Sequence, residues 1–169
     1  MAMRTSLARA LNDQINHEFS ASYVYLGMAA YFETLDLGGF AGWMRAQSEE
    51  EWGHGMRIYE HLAERDVPVT LSGLDQAETE YDSPESVIAN ALDLEQGTTR
   101  SINAVYAQSM EQGDYQAKAM LDWFVNEQTE EEDTLRTLLS HVRIAGDEGA
   151  GLLILDRELA ARQPAAAGG

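Results

Sequence analysis

The sequence contains no cysteine, which excludes a disulfide framework, a thiolate-held iron–sulfur cluster and a thiol nucleophile. Basic residues are also few: 11 Lys and Arg stand against 29 Asp and Glu, for a formal net charge of -18. Nucleic acid is not expected as a partner, because binding phosphate requires a basic surface. No apolar run is long enough to span a membrane, and the N-terminal segment lacks the apolar core of a signal peptide. A cytoplasmic location without a membrane partner is therefore expected.

The chain has only three prolines and 44% hydrophobic residues, which suits a single helical domain over residues 1–169. Four segments carry apolar or unexpectedly polar residues at alternating steps of three and four, which predicts four helices with one buried face each. These segments lie at about 5–35, 40–66, 83–111 and 114–144. The glycine pair at 38–39 separates the first two segments.

The polar, aperiodic stretch at 67–82 is long enough to run the length of a bundle, so it predicts a crossover between parallel helices two and three. A short amphipathic segment at 152–161 predicts a fifth helix, and a flexible tail is expected at 163–169. The sequence therefore predicts an all-α, antiparallel four-helix bundle with a long crossover and a short fifth helix.

Two pairs of polar residues repeat at one interval within the predicted buried faces. The pairs are Glu18 with Glu51 and Glu95 with Gln128; each pair is 33 residues apart, and the second lies 77 residues after the first. Each second member has another ligand-type side chain at i+3, namely His54 and Glu131. Residues at i and i+3 share a helix face, so the pattern predicts a doubled helical hairpin that holds metal-binding groups.

Four glutamates occupy mid-helix positions of these faces where leucine is expected: Glu18, Glu51, Glu95 and Glu131. Burying four carboxylates without a counter-charge would cost several kcal/mol per ion, and the faces carry no Lys or Arg near them. Two divalent ions would balance the charge, and His54 adds a neutral nitrogen that suits a first-row transition metal. Calcium fits less well, because it prefers sites made of oxygen alone.

Two alternatives remain for this pattern. The acids are surface residues if the helix phase is wrong, although four acids on four separate faces argue against that. A zinc hydrolase is the other alternative, but zinc sites usually have three or four His or Cys ligands and the pattern offers one histidine.

These residues resemble those of the ferritins, and the resemblance extends from Leu7 to Leu159. The ferritin-like bundle combines one Glu from each of two helices with a Glu-x-x-His motif from each of the other two. Here the second motif is Gln128-x-x-Glu131, which is similar to that of prokaryotic non-haem ferritins. Trp52 follows Glu51 at the place where bacterioferritins have a haem-binding methionine, so no haem is expected.

The resemblance implies a ferroxidase, an enzyme that oxidises ferrous iron with dioxygen or peroxide and stores the ferric product as mineral. The residues implied at its diiron centre are Glu18, Glu51 and His54 for the first iron, Glu51 as the bridge, and Glu95 with Gln128 and Glu131 for the second. Tyr25 is implied beside the centre, as a donor of an electron or a hydrogen bond. A third iron site is implied at Glu50, Glu127 and Glu130 together with Glu131; the alternative is a solvated helix surface.

The resemblance also implies a homo-oligomeric shell of 24 subunits, with the fifth helix at its four-fold axes. Lys118 and Leu121 stand where animal ferritins have acids in the three-fold pore, so the route by which iron enters is not predicted.

Three other functions compete with this interpretation. A passive storage shell would lack the complete ligand set found here. A diiron enzyme acting on an organic substrate or peroxide would carry two Glu-x-x-His motifs or a cysteine-held iron domain. A DNA-protecting shell usually has its ligands between subunits, whereas the repeat lies within one chain.

Overall fold

The computed structural model describes residues 3–146 and 149–162. Five helices account for most of these residues, and no strand occurs among them. They are α1 (Thr5–Thr34), α2 (Gly38–Glu64), α3 (Pro84–Glu111), α4 (Tyr115–Ala145) and α5 (Gly149–Arg162). The prediction of an all-α bundle with a short fifth helix is confirmed. The predicted tail at 163–169 lies outside the described residues.

Ion pairs at the helix ends define the relative directions of the helices. Arg65, just after α2, donates two hydrogen bonds to the carboxylate of Asp114 at the start of α4, at 2.7 and 2.9 Å. Arg143, near the end of α4, donates to Glu85 at the start of α3 at 2.7 Å. Helix α4 therefore runs antiparallel to both α2 and α3, and α2 and α3 are parallel. The segment between them is the predicted crossover.

Two asparagines of α1 bind the backbone of this crossover. Asn12 donates to the carbonyl of Pro68 at 3.1 Å and accepts from the N–H of Thr70 at 2.6 Å. Asn16, one turn later, donates to the carbonyl of Thr70 and accepts from the N–H of Ser72, both at 2.8 Å. The two side-chain amides thus provide hydrogen-bond partners for backbone groups of the crossover, which lies outside any helix.

Helices α2 and α5 begin earlier than the sequence predicts, and both starts contain glycine. Gly39 lies inside α2, where an added Cβ would come within 1.8 Å of the carbonyl oxygen of Asp156 in α5. The Asp156 side chain accepts a hydrogen bond from the N–H of Phe40 at 2.9 Å and so caps an unpaired donor of the first turn. The glycine therefore permits α5 to dock on α2, and the buried Leu159 anchors that contact.

The bundle interior consists of two apolar clusters with a polar layer between them. One cluster lies at the end where α1 turns into α2 and contains Phe32, Phe40, Met44, Ile88 and Leu135. The other lies toward the opposite end and contains Leu7, Ile15, Ile58, Ile102 and Phe124. Buried polar residues of all four long helices separate them. The apolar clusters provide the stability that allows the layer between them to be polar.

None of the helices among the described residues combines the length and the apolarity needed to cross a membrane.

Candidate metal centre

The polar layer brings together the side chains that the repeated intervals indicate. Each long helix contributes from its buried face, since residues three or four apart point to the same side. The contributors are Glu18 from α1, Glu51 and His54 from α2, Glu95 from α3, and Gln128 and Glu131 from α4, each at most 7% exposed. The predicted helix phase is therefore correct for these six residues, and the alternative that the four acids lie on the surface is wrong.

Glu18, Glu51 and His54 form one compact group. Their ligand atoms all lie within 4.8 Å of one another. His54 Nδ1 lies 3.4 Å from Glu51 Oε1 without forming a hydrogen bond. Both oxygens of Glu51, Oε2 of Glu18 and Nδ1 of His54 are buried without a hydrogen-bond partner. A buried polar atom without a partner destabilises a folded protein. Three residues that bring such atoms into one small region have the geometry of a cation site.

Glu95 has both of its oxygens held by neighbours. Tyr25 donates its hydroxyl to Glu95 Oε1 at 2.6 Å, and Gln128 donates its amide to Glu95 Oε2 at 3.1 Å. Tyr25 and Gln128 are themselves buried, and Gln128 Oε1 has no partner. The carboxylate is thus oriented by two helices other than its own.

The four acids share a strong electrostatic perturbation. Burial raises the pKa values of Glu18 and Glu51 well above their usual range and raises that of Glu95. Burial also raises the pKa of Glu131 to about 8, with the charges of neighbouring glutamates as the second cause. Within residues 3–146 and 149–162, none of the four forms an ion pair with Lys or Arg. The layer therefore favours the binding of positive charge.

A second group of acids has no residue in common with the first group. One oxygen each of Glu50, Glu127 and Glu131 lies within 4.8 Å of the others. Glu50 is exposed and Glu127 is half-buried, so this group opens toward the surface. The structure does not bring Glu130 into it.

The glutamate at 130 is exposed and acts on the group at a distance, as one of the charges that raise the pKa of Glu131. Consecutive helix residues differ by about 100° in direction, which explains why Glu130 and Glu131 face different surroundings.

Trp123 packs beside the first group. Its ring meets the edge of His54 at a centroid distance of 5.2 Å, and the guanidinium of Arg57 lies 4.3 Å from its ring centre. The indole therefore contacts both the His54 ring and the guanidinium of the exposed Arg57.

Sequence reasoning missed Gln14, which is 1% exposed and donates its amide to Glu18 Oε1 at 2.6 Å. Its signal is a polar residue four positions before Glu18, on the same buried face as Leu11.

Comparison with known proteins agrees with this geometry. A family model described as a ferritin-like domain matches residues 8–145. A bacterial non-heme ferritin of Staphylococcus haemolyticus is 35% identical over 156 residues, which cover 92% of this chain and 94% of that protein. Ferritin BfrB of Mycobacterium tuberculosis is 33% identical over 168 residues, which cover 98% of this chain and 91% of that protein.

Among solved structures, an open pore ferritin from the archaeon Archaeoglobus fulgidus superposes with a TM-score of 0.94 at 34% identity, covering 96% of this chain and 100% of that one. The similarity thus includes sequence, nearly full length and fold. The resemblance inferred from the paired intervals is confirmed: this chain belongs to the ferritin family and is a prokaryotic ferritin.

Proposed function

We propose that this ferritin oxidises ferrous iron at a diiron centre within each subunit and stores the ferric product as mineral inside a shell. Family and fold support iron storage itself. The observation that carries the proposal of oxidation is the meeting of four buried carboxylates from four helices, which have no Lys or Arg partner in the described residues. Two ferrous ions would supply the four positive charges that these carboxylates require.

The free atoms support one arrangement of the two ions. One iron would bind between Glu18, Glu51 and His54, because a ligand atom from each lies within 4.8 Å of the others and each residue has a buried atom without a partner. Glu51 would bridge to the second iron, since no amide or hydroxyl donor holds either of its oxygens. Glu95 and Glu131 would complete the second site, because both act electrostatically on Glu51 and both have raised pKa values.

Tyr25 and Gln128 would hold the Glu95 carboxylate of the second site in place and would add no charge to that site. Burial raises the pKa of the Tyr25 hydroxyl well above its usual value, so the phenol stays protonated and continues to donate to Glu95. Its position within hydrogen-bonding distance of Glu95 also suits the donation of an electron. The free Oε1 of Gln128 would provide a weak neutral ligand.

The reaction balances with dioxygen or peroxide as the oxidant. Two ferrous ions lose one electron each, and dioxygen takes up both electrons with two protons and leaves as hydrogen peroxide. Hydrogen peroxide as oxidant takes up two electrons and two protons and leaves as two waters. Hard carboxylate oxygens and the negative charge of the layer favour the ferric product.

The second group of acids, at the surface side of the centre, would receive iron from the diiron centre. Glu50, Glu127 and Glu131 form the half-open group that would hold a third ion, and Glu131 would belong to both sites. Glu130 would add negative charge without contact. The product would leave by this surface toward the mineral.

The shell would consist of 24 copies of the chain. Leu153 and Ile154 of α5 are 49% and 59% exposed, and an apolar face of this kind requires a partner. Light scattering distinguishes a shell of this size from one half as large.

Aerobic addition of ferrous iron to metal-free protein tests the proposal. The parent should oxidise iron rapidly up to about two or three ions per subunit, and Glu51→Ala and His54→Ala should abolish the rapid phase. Glu49→Ala is the matched control, because it removes an exposed glutamate of the same helix. Equal, slow oxidation in all four proteins would show a passive shell instead.

A further inference from the structure

Gln14 is a buried polar residue, and a buried amide without partners is costly. It follows Leu11 and precedes Ile15 in α1, both of which are fully buried, and it is 1% exposed itself. An unpaired amide at such a position would destabilise the folded protein. Its two polar atoms are both satisfied, one by Glu18 in its own helix and one by Ser101 in α3.

These two contacts fix the orientation of the amide. Ser101 donates its hydroxyl to Gln14 Oε1, and Gln14 Nε2 donates to Glu18 Oε1 at 2.6 Å. The opposite orientation would place the amide oxygen against a carboxylate oxygen, and both are acceptors. The carboxylate therefore determines which end of the amide faces it, and the Ser101 hydroxyl anchors the other end from α3.

The contact divides the two oxygens of Glu18. Oε1 is held by Gln14, whereas Oε2 is buried without a partner. Glu18 also belongs to the compact group with Glu51 and His54. Glu51 differs, because no amide or hydroxyl donor holds either of its oxygens. Glu18 therefore presents a single unengaged oxygen to the neighbouring ligands.

We propose that Gln14, anchored by Ser101, is a positioning residue that restricts Glu18 to binding iron through one oxygen. This inference rests on the proposed ferroxidase function. A carboxylate that binds through one oxygen occupies one coordination position, and a carboxylate that binds through both occupies two. Gln14 thus keeps open a position at the iron held by Glu18 and His54, where the oxidant or water binds.

Replacing Gln14 separates metal binding from oxidation. Gln14→Leu removes the donor while keeping a side chain of similar size, so Glu18 becomes free to bind through both oxygens. The variant should bind as much metal as the parent, with the same half-saturating iron concentration, and its maximal oxidation rate should fall about tenfold or more. Ser101→Ala should reduce the rate in the same direction by a smaller factor, because the amide still donates to Glu18 but loses its anchor on α3.

Cobalt(II) provides a readout that a purely structural role would not change. Anaerobic titration of each metal-free protein, followed by visible absorption, reports the number of cobalt ions bound and their coordination. Gln14→Leu should bind the parent's number of ions with weaker absorption bands, since a higher coordination number weakens them. Ser109→Ala is the matched control for Ser101→Ala. Ser109 is another serine of α3, but it is buried and donates to a backbone carbonyl.

Two results would overturn the inference. One is an oxidation rate in Gln14→Leu equal to the parent's, in which case Glu18 needs no positioning by the amide. The other is a parallel loss of cobalt binding and oxidation, which would make Gln14 a contributor to affinity alone. Failure of the ferroxidase proposal would look different, because the parent itself would oxidise iron no faster than Glu51→Ala.

Discussion

The metal-free protein should lose stability as the pH rises from 6.5 to 8, and bound metal should cancel that loss. The cause is the set of buried acids, of which Glu131 has a pKa of about 8 in the folded state against an ordinary value of 4.5. A folded state that holds a proton which the unfolded state has already released is stabilised below the folded pKa, and the stabilisation disappears as the pH passes through it. Stability therefore falls with rising pH in this window.

The magnitude follows from the same two values. For Glu131 alone, the free energy of unfolding should fall by roughly 1.5 kcal/mol per subunit between pH 6.5 and 8. Glu18 and Glu51 add to the fall, because burial raises their pKa values as well. Burial lowers the pKa values of His17 and His61, which makes stability rise with pH, but that effect ends near the ordinary histidine value of 6.5.

Guanidinium unfolding, followed by helical circular dichroism at fixed subunit concentration and with a chelator present, measures the effect. The midpoint of the parent should fall between pH 6.5 and 8, and that of Glu131→Gln should fall less. Zinc, which has no redox chemistry, should restore the midpoint at pH 8. Asp133→Asn, which removes a carboxylate that is 76% exposed, controls for the lost charge. Parallel falls in the parent and in Glu131→Gln would refute the reasoning.

Three further substitutions test the packing that surrounds the centre. Gly39→Ala should release α5 from α2, which faster proteolysis of α5 would report, because the new Cβ would overlap a backbone oxygen at 1.8 Å. Gly55→Ala should destabilise by about 1–3 kcal/mol, since its Cβ would lie 2.5 Å from the ring of Phe19. Gly53→Ala, with nothing within 4 Å, is the control for both and should stabilise by up to about 1 kcal/mol. Asn16→Ala should speed amide exchange in the crossover and cost about 1 kcal/mol.

The fold was predictable because its signals are local and repeated. Four amphipathic segments and one long polar stretch permit few arrangements, and the bundle agrees with them. The starts of α2 and α5 were not predictable in the same way. Gly39 reads as a helix breaker by intrinsic propensity, but the neighbour that requires a glycine there is Asp156, 117 positions later in the chain. Such a requirement exists only in the packed structure.

The candidate centre was predictable to the extent that helix phase determines direction. Residues four apart point nearly the same way, so Glu127 and Glu131 meet, whereas Glu130 points elsewhere and stays exposed. Gln14 lay on the correct face, but an amide next to a glutamate is compatible with either the surface or the core. Only the contact with Ser101 on another helix distinguishes the two.

The carboxylates of the centre differ in how firmly the protein holds them, and this difference matches the roles proposed for them. Amide or hydroxyl donors hold both oxygens of Glu95 and one oxygen of Glu18, whereas no such donor holds Glu51. A bridging ligand must turn its two oxygens toward two ions, so it requires the freedom that Glu51 has. A ligand of one ion functions best in a fixed direction, because correct geometry before the metal binds lowers the reorganisation that oxidation requires. The apolar clusters on either side would keep the helices that carry these ligands in place, so that the freedom of Glu51 remains confined to its side chain.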